Sequence, residues 1–169
     1  MRHYLGLLLP LLIVSGMLQG CGFRLAGSGG DADHGIESIS LQGPGSSRVL
    51  MQFTRNFLES NKIRVVGDEQ ASARLEILFE SAEKEVLSLD SDGKAREYDL
   101  VLSIAFDVRR PDDSYLLNGQ SISLNRAFVF DKRDVLGSAE EEQRLMDEMR
   151  KHAARLIVYR LRAMSIQDE

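Results

Sequence analysis

Apolar positions change their spacing several times along the chain, and each change marks a predicted element. From Tyr4 to Leu18 nearly every residue is apolar, with Arg2 and His3 ahead of the run and Pro10 inside it. A basic start followed by a short apolar run is the layout of a secretory signal, and the run falls short of the roughly 20 residues a spanning helix needs. A permanent transmembrane anchor is the weaker alternative. From Gly22 to Gly35 the pattern dissolves into glycine and aspartate, Gly-Phe-Arg-Leu-Ala-Gly-Ser-Gly-Gly-Asp-Ala-Asp-His-Gly, which reads as a flexible tether.

Ile36, Ile39 and Leu41 then suggest a short first strand closed by Gly43-Pro44-Gly45. Ser46 and Ser47 are positioned to cap a helix whose one face carries Leu50, Phe53, Phe57 and Leu58, with Asn61 as its stop. A short β-like piece, Ile63 to Val66, precedes a loop at Gly67-Asp68. Leu75, Ile77 and Phe79 alternate with charged residues, and the alternation drifts through Glu83-Lys84-Glu85 before Leu87 and Leu89, so a bulge or bend is expected there. Asp90-Ser91-Asp92-Gly93 is a turn.

The clearest strand places Tyr98, Leu100, Leu102, Ile104, Phe106 and Val108 on one face, with Asp99, Ser103 and Asp107 exposed on the other. After a turn at Pro111-Asp112-Asp113-Ser114, a last strand carries Ile122, Leu124, Phe128 and Phe130 on one face, interrupted by Arg126. A structural role in reaching a carboxylate at the core edge is the favoured reading of that arginine; the wall of a partner is the other. Ser138 with Glu141 forms a capping box for a final helix, whose stripe is Leu145, Met149, Ala153, Leu156, Leu161 and Met164.

Setting aside the piece at Ile63, the order is β-α-β-β-β-α. The expected fold is α+β: an antiparallel or mixed four-stranded sheet, essentially a meander, with two helices packed on one face. The division is a signal over residues 1–20, a modified N-terminus and tether over 21–35, and one domain over 36–169.

Charge and cysteine content narrow the function. With 21 Lys+Arg against 26 Asp+Glu the net charge is −5; removal of Arg2 with the signal leaves 20 against 26, or −6. That balance argues against nucleic acid as a partner. Cys21 is the single cysteine, so no intramolecular disulfide can staple an exported domain.

The inventory for catalysis is poor, and no catalytic or metal residue is assigned. His3 lies in the signal, His34 in the tether and His152 on a helix beside Arg155, and there is no His-Glu-x-x-His, Gly-x-Ser-x-Gly or phosphate-cradling glycine loop. Glu140, Glu141 and Glu142 are consecutive helical residues that point in different directions, so they read as a solvated helix start rather than metal ligands.

Leu18-Gln19-Gly20-Cys21 resembles the lipobox of bacterial lipoproteins, with glutamine a mild departure at its middle position. The resemblance implies cleavage after Gly20, a diacylglycerol on the sulfur of Cys21 and an N-acyl chain (palmitate) on its amino group, with no other cofactor. Gly22 in place of an aspartate implies sorting to the outer membrane. Two or three acyl chains give a stable anchor where one is marginal.

Further stretches carry a family resemblance. Cys21-Gly22-Phe23-Arg24-Leu25 is similar to the start of the mature lipopolysaccharide-assembly lipoproteins of the LptE family. Arg96-Glu97-Tyr98 resembles the opening of their central strand. Leu124-Asn125-Arg126-Ala127-Phe128-Val129-Phe130-Asp131, Val135-Leu136-Gly137, Glu142-Gln143 and Met146-Asp147-Glu148-Met149 resemble their last strand and final helix. No single motif is stringent; order and spacing carry the likeness over the whole mature chain. It implies a non-enzymatic outer-membrane lipoprotein that binds the LptD β-barrel one to one, plugs its lumen, helps it assemble, and assists transport and insertion of lipopolysaccharide. A monomeric, periplasm-facing lipid-binding or shuttle lipoprotein, with a large apolar pocket between sheet and helices, is the alternative; a small envelope hydrolase is remote.

In a meander, the turn after the second strand and the end of the fourth lie at one end of the sheet. Lys94 and Arg96 are therefore expected near Lys132 and Arg133, as a basic tip able to pair with lipid A or core-sugar phosphates. Ordinary solvated charges, partly neutralised by Asp90, Asp92, Asp131 and Asp134, are the competing reading. Arg109 and Arg110 belong to the opposite tip.

Overall fold

The computed structural model describes residues 36–164. The expected signal, the lipidation site Cys21 and the tether lie outside those residues. Five strands and two helices follow in the order β1 (Ser38–Gln42), α1 (Arg48–Ser60), β2 (Arg64–Val65), β3 (Ala73–Leu89), β4 (Ala95–Arg109), β5 (Tyr115–Val129) and α2 (Val135–Met164). They build one mixed sheet in the order β2-β1-β3-β4-β5.

The expectation of four strands is corrected to five. The piece at Ile63 supplies the edge strand: Ser38 pairs with Arg64 and Ile39 with Val65, in parallel. Only β3, β4 and β5 form an antiparallel meander, while β1 lies parallel to β3 with Ile39 opposite Ala73. Parallel neighbours need a crossover, and α1 makes it between β1 and β2. A two-residue edge strand with one strong apolar position has too little pattern to announce itself, and its pairing is decided by β1 beside it.

Both helices pack on one face of the sheet. Ile39, Leu50, Leu58, Leu75, Leu100, Leu102, Phe106 and Ile157 are all fully buried between the layers. On α1 the buried line is Leu50, Thr54 and Leu58; on α2 it runs through Leu145, Met149, Ala153, Ile157 and Leu161. Among the described residues no helix is long and apolar enough to cross a membrane.

The helix ends differ from their simplest sequence reading. Ser47 does precede α1, but its hydroxyl makes no capping bond and is buried without a hydrogen-bond partner. Asn61 follows the last turn as expected and donates from Nδ2 to the Phe57 carbonyl at 2.7 Å. The left-handed residue is Lys62 (φ 65°), whose N–H donates to the Glu59 carbonyl while that of Ile63 donates to Leu58, a Schellman ending without glycine. α2 starts a turn earlier than the capping box predicts. Asp134 is the cap, its Oδ1 accepting the Gly137 N–H at 2.9 Å, and Ser138 is buried with its Oγ accepting the Asp131 N–H at 3.0 Å.

The bulge expected near Glu83 begins earlier. Ile77 faces Phe106 but Phe79 faces Ala105, so Leu78 is the extra residue, and a second irregularity brackets Leu87. One inserted residue reverses which side chains point inward. Phe79 is consequently 51% exposed, and the Glu80 side chain, only 4% exposed, turns under α2 to meet Arg150 Nε at 2.9 Å. On the other face of β4, Asp107 is buried rather than exposed; its Oδ1 accepts the Gly119 N–H at 2.6 Å.

Candidate functional site at the distal tip

Strand direction sorts the domain into two ends. β1 and β3 begin together at a proximal end, and the pairing of Arg74 with Arg109 puts the β4–β5 turn there as well. The β3–β4 turn, the end of β5 and the start of α2 lie at the distal end. β3 has 17 residues, which separates the two ends by roughly 50 Å.

The distal turn is built by Asp90. Its Oδ1 accepts the N–H groups of Asp92 (2.9 Å) and Lys94 (3.0 Å), and its own N–H donates to the Lys94 carbonyl at 2.7 Å. Gly93 closes the turn at φ 74°, a conformation open to it for want of a Cβ. The Phe130 N–H donates to the Arg96 carbonyl at 2.9 Å, carrying the β4–β5 ladder past the end of β5.

The four cations expected at one end are brought to it, but in two different states. Lys132 Nζ donates to Asp90 Oδ2, and Arg133 Nε lies 3.2 Å from Asp131 Oδ1. The Lys132 ammonium, with the backbone N–H of Lys94 next in weight, holds the Asp90 carboxyl down at about 2. Asp131 is held below the carboxylate range chiefly by the Arg133 side chain, whose own pKa is raised in return. Asp134 is committed to capping α2. Lys94 and Arg96 are exposed, and no carboxylate among the described residues meets either side chain. With Glu97, which accepts from Ser88 Oγ at 2.9 Å, five acids thus stand near four cations at the tip, and Lys94 and Arg96 are the pair open to an external anion without an exchange of partners. Arg109 sits at the proximal end, 3.6 Å from Asp107 and over the Tyr115 ring.

The tip is also apolar, which the charge pattern alone does not reveal. Leu87 (54% exposed), Leu89 (61%), Val129 (60%), Val135 (58%) and Leu136 (72%) surround these cations. Beneath them Tyr98 stacks with Phe128 at 6.4 Å and meets Phe130 edge-on at 6.2 Å, closing the distal end of the core. The signal was present as Leu87, Leu89 and Val135-Leu136 standing next to turn residues, but the bulges that expose β3 there are a tertiary outcome.

Arg126 reaches Glu148 on α2 at 3.2 Å, the carboxylate contact anticipated for it. His152 is exposed on α2. Among the described residues no group of three or more histidine, cysteine, aspartate or glutamate side chains converges on a metal position.

Comparison with known proteins bears directly on this arrangement. A family model described as "LptE: Lipopolysaccharide-assembly" matches residues 36–161. The LPS-assembly lipoprotein LptE of Photorhabdus laumondii is 30% identical over 164 residues, covering 95% of this chain and 87% of the relative. That of Pectobacterium atrosepticum is 28% identical over 172 residues, covering 100% and 91%. Among solved structures, rare lipoprotein B from Shewanella oneidensis superposes with a TM-score of 0.67 at 26% identity, covering 77% of this chain and 97% of that one. Lipoprotein B from Nitrosomonas europaea gives 0.68 at 26% identity, covering 77% and 84%. With its sheet, both helices and nearly all its length accounted for in this way, the chain belongs to the LptE family of lipopolysaccharide-assembly lipoproteins, which are not enzymes.

Proposed function

We propose that the protein is anchored in the outer membrane by acyl chains on Cys21. There it forms a one-to-one complex with the LptD β-barrel, plugs its lumen, helps it assemble, and presents the distal tip to lipopolysaccharide on its way to the cell surface. The observation that carries this reading is the opposition of two ends: the chain comes into β1 at the proximal end, and the apolar-rimmed tip with its two unpaired cations lies roughly 50 Å away. That length exceeds the roughly 30 Å hydrocarbon core of a bilayer, so a domain tethered at one leaflet and standing inside a barrel reaches the other with its tip. Lys94 and Arg96 match phosphate groups, and Leu87, Leu89 and Leu136 match the acyl chains beside them.

A cavity carrier of lipid, the alternative, is disfavoured because side chains with no exposure fill the centre between helices and sheet, and cavities at its margins are open, partly polar clefts of about 230 Å³ beside Lys84, Glu142 and Arg150 and about 600 Å³ beside Pro44, Glu76 and Leu78. Purification of the tagged full-length chain from outer membranes in mild detergent tests the complex: one large barrel protein in equal amount is expected, and recovery of the lipoprotein alone overturns the plug. Lys94→Glu/Arg96→Glu should weaken lipopolysaccharide binding while Arg110→Glu at the proximal end leaves it unchanged. Unaltered binding after reversal of Lys94, Arg96, Lys132 and Arg133 together removes the tip from the account.

A further inference from the structure

Ion pairing divides the cations of this domain into two groups. Arg74, Lys84, Arg126, Arg144 and Arg150 each carry a carboxylate partner. Arg48 and Arg55 on α1, and Lys151 and Arg155 on α2, are exposed and have no such partner among the described residues. Their positions are not scattered. Arg48 and Arg55 are two turns apart on one exposed flank of α1, roughly 100–120° around the helix from the centre of its buried line of Leu50, Thr54 and Leu58. Lys151 and Arg155 lead along α2 to Tyr159, 71% exposed, at four-residue intervals opposite the buried Ala153, Ile157 and Leu161.

The two helices make one surface. Arg162 donates to Asn61 Oδ1 at 3.0 Å, so the C-terminal ends of α1 and α2 lie together and both cation lines run in the same direction. In the first half of α2, Glu141 and Glu148 neutralise Arg144; after Glu148 the helix has no acid through Met164, and Glu59 is the one acid on the outer side of α1. Across the molecule the balance reverses. Glu83, Glu85 and Asp99 stand on the uncovered face of the sheet, with Glu85 directly opposite Asp99. A helix about 10 Å thick separates the two sides, more than the roughly 8 Å Debye length of physiological salt, so the cations act locally despite the acidic net charge.

We propose that the solvent side of α1 and the C-terminal half of α2 is a docking surface for a bilayer rich in anionic phospholipid headgroups. Arg48, Arg55, Lys151 and Arg155 meet the phosphates, and Tyr159 sits at headgroup depth. The array is broad, convex and made of long side chains without fixed partners, which suits laterally mobile headgroups better than the fixed carboxylates of a protein surface. Its place in the fold agrees: this half of the domain is proximal, where the chain enters β1. Residues 22–35, fully extended, span at most about 50 Å, enough to lay the helices on the leaflet that holds the anchor. That last step rests on the lipidated Cys21 reading; the charged surface does not. Side-on contact of this kind is a state of the tethered domain separate from the barrel complex.

The test uses the whole mature chain with Cys21→Ser, so that no acyl chain contributes, and vesicles of phosphatidylcholine with or without roughly one-third phosphatidylglycerol. Sedimentation is expected to show binding only to the anionic vesicles, declining as salt rises. Arg48→Gln/Arg55→Gln and Lys151→Gln/Arg155→Gln should each lower partitioning about 25-fold, at about fivefold per cation, with unchanged urea midpoints. Arg126→Gln, which removes a cation paired with Glu148, should leave it intact. Equal binding to both vesicles, helix variants that bind like the parent, or a comparable loss for Arg126→Gln each overturns the proposal. No vesicle binding together with crosslinking of these cations to a barrel protein identifies an acidic protein surface as the occupant instead. Mass spectrometry of the native Cys21 judges the anchor separately.

Discussion

Replacing Arg150 by methionine isolates a charge that the bulge in β3 drives into the interior. Glu80 is 4% exposed; one carboxylate oxygen receives Arg150 Nε at 2.9 Å and the other has no hydrogen-bond partner. Methionine keeps most of the apolar stem of Arg150 but removes the one side chain that donates to Glu80 among the described residues, leaving a buried carboxylate uncompensated. Breaking a buried pair from one side costs about 3–5 kcal/mol, a third or more of the stability of many domains of this size. At a typical urea slope of about 2 kcal/mol/M, the midpoint followed by circular dichroism should fall by about 2 M. Glu80→Leu should cost less, because Arg150, with a side chain 16% exposed, keeps Asp147 at 3.1 Å. Glu80→Leu/Arg150→Met should return to within about 1 kcal/mol of the parent, since two apolar side chains of similar volume replace the pair. A loss under about 1 kcal/mol for Arg150→Met, or a double variant no better than it, would refute the view that the bulge stores an obligatory charge pair there.

Four more outcomes follow from the element ends and the proximal loop. Lys62→Gly should raise stability by about 0.5–1 kcal/mol in thermal melts, because position 62 holds φ 65° at the end of α1. Asp134→Ala should lower it by about 1 kcal/mol through loss of the α2 cap. Gly137→Ala places a Cβ 2.3 Å from Asp134 Oδ2 and should displace the same carboxylate, so the double variant Asp134→Ala/Gly137→Ala should be no less stable than Asp134→Ala alone. Asp68 is held at about 2, first by the Arg74 guanidinium and then by the Ser40 hydroxyl. Its folded pKa lies below the ordinary carboxylate value of about 3.9, so its contribution is present above that value and is lost as pH falls from about 4 to about 2. The melting temperature of Asp68→Asn should therefore vary less than that of the parent across this window.

The polarity of the domain unites its two proposed surfaces. Cations with carboxylate partners serve the fold: Arg150 holds Glu80 beneath α2, Arg126 ties β5 to Glu148, and Arg74 joins Asp68 to Asp113. Among those without them, Lys94 and Arg96 lie at the distal tip near exposed aliphatic residues, and Arg48, Arg55, Lys151 and Arg155 on the helical surface near an exposed tyrosine, while Arg64 and Arg110 stand apart on β2 and the β4–β5 turn. Because exposed pairs contribute little to stability, leaving a cation unpaired there costs the fold almost nothing and keeps it available to a phosphate.

Much of this was legible in the residues alone, wherever the cause is local. The period of Leu145, Met149 and Ala153, the alternation from Tyr98 to Val108 and the turn at Asp90–Gly93 each depend on a few neighbours in the chain, and the family resemblance rests on order and spacing that any alignment preserves. The gathering of Lys94, Arg96, Lys132 and Arg133 at one end also followed, since a meander with known turns has fixed ends. What pairing across the sheet decides was not legible. Val65 becomes a strand because Ile39 lies beside it; Leu78 bulges because β3 must stay in register with both ends of β4; that single residue sends Phe79 out and Glu80 in. Ser138 looks like a cap until the Asp131 N–H claims its oxygen and Asp134 takes the helix end. Backbone periodicity is a property of a segment, whereas register, partner choice and the burial of a charge belong to segments far apart in sequence that meet only in the folded chain.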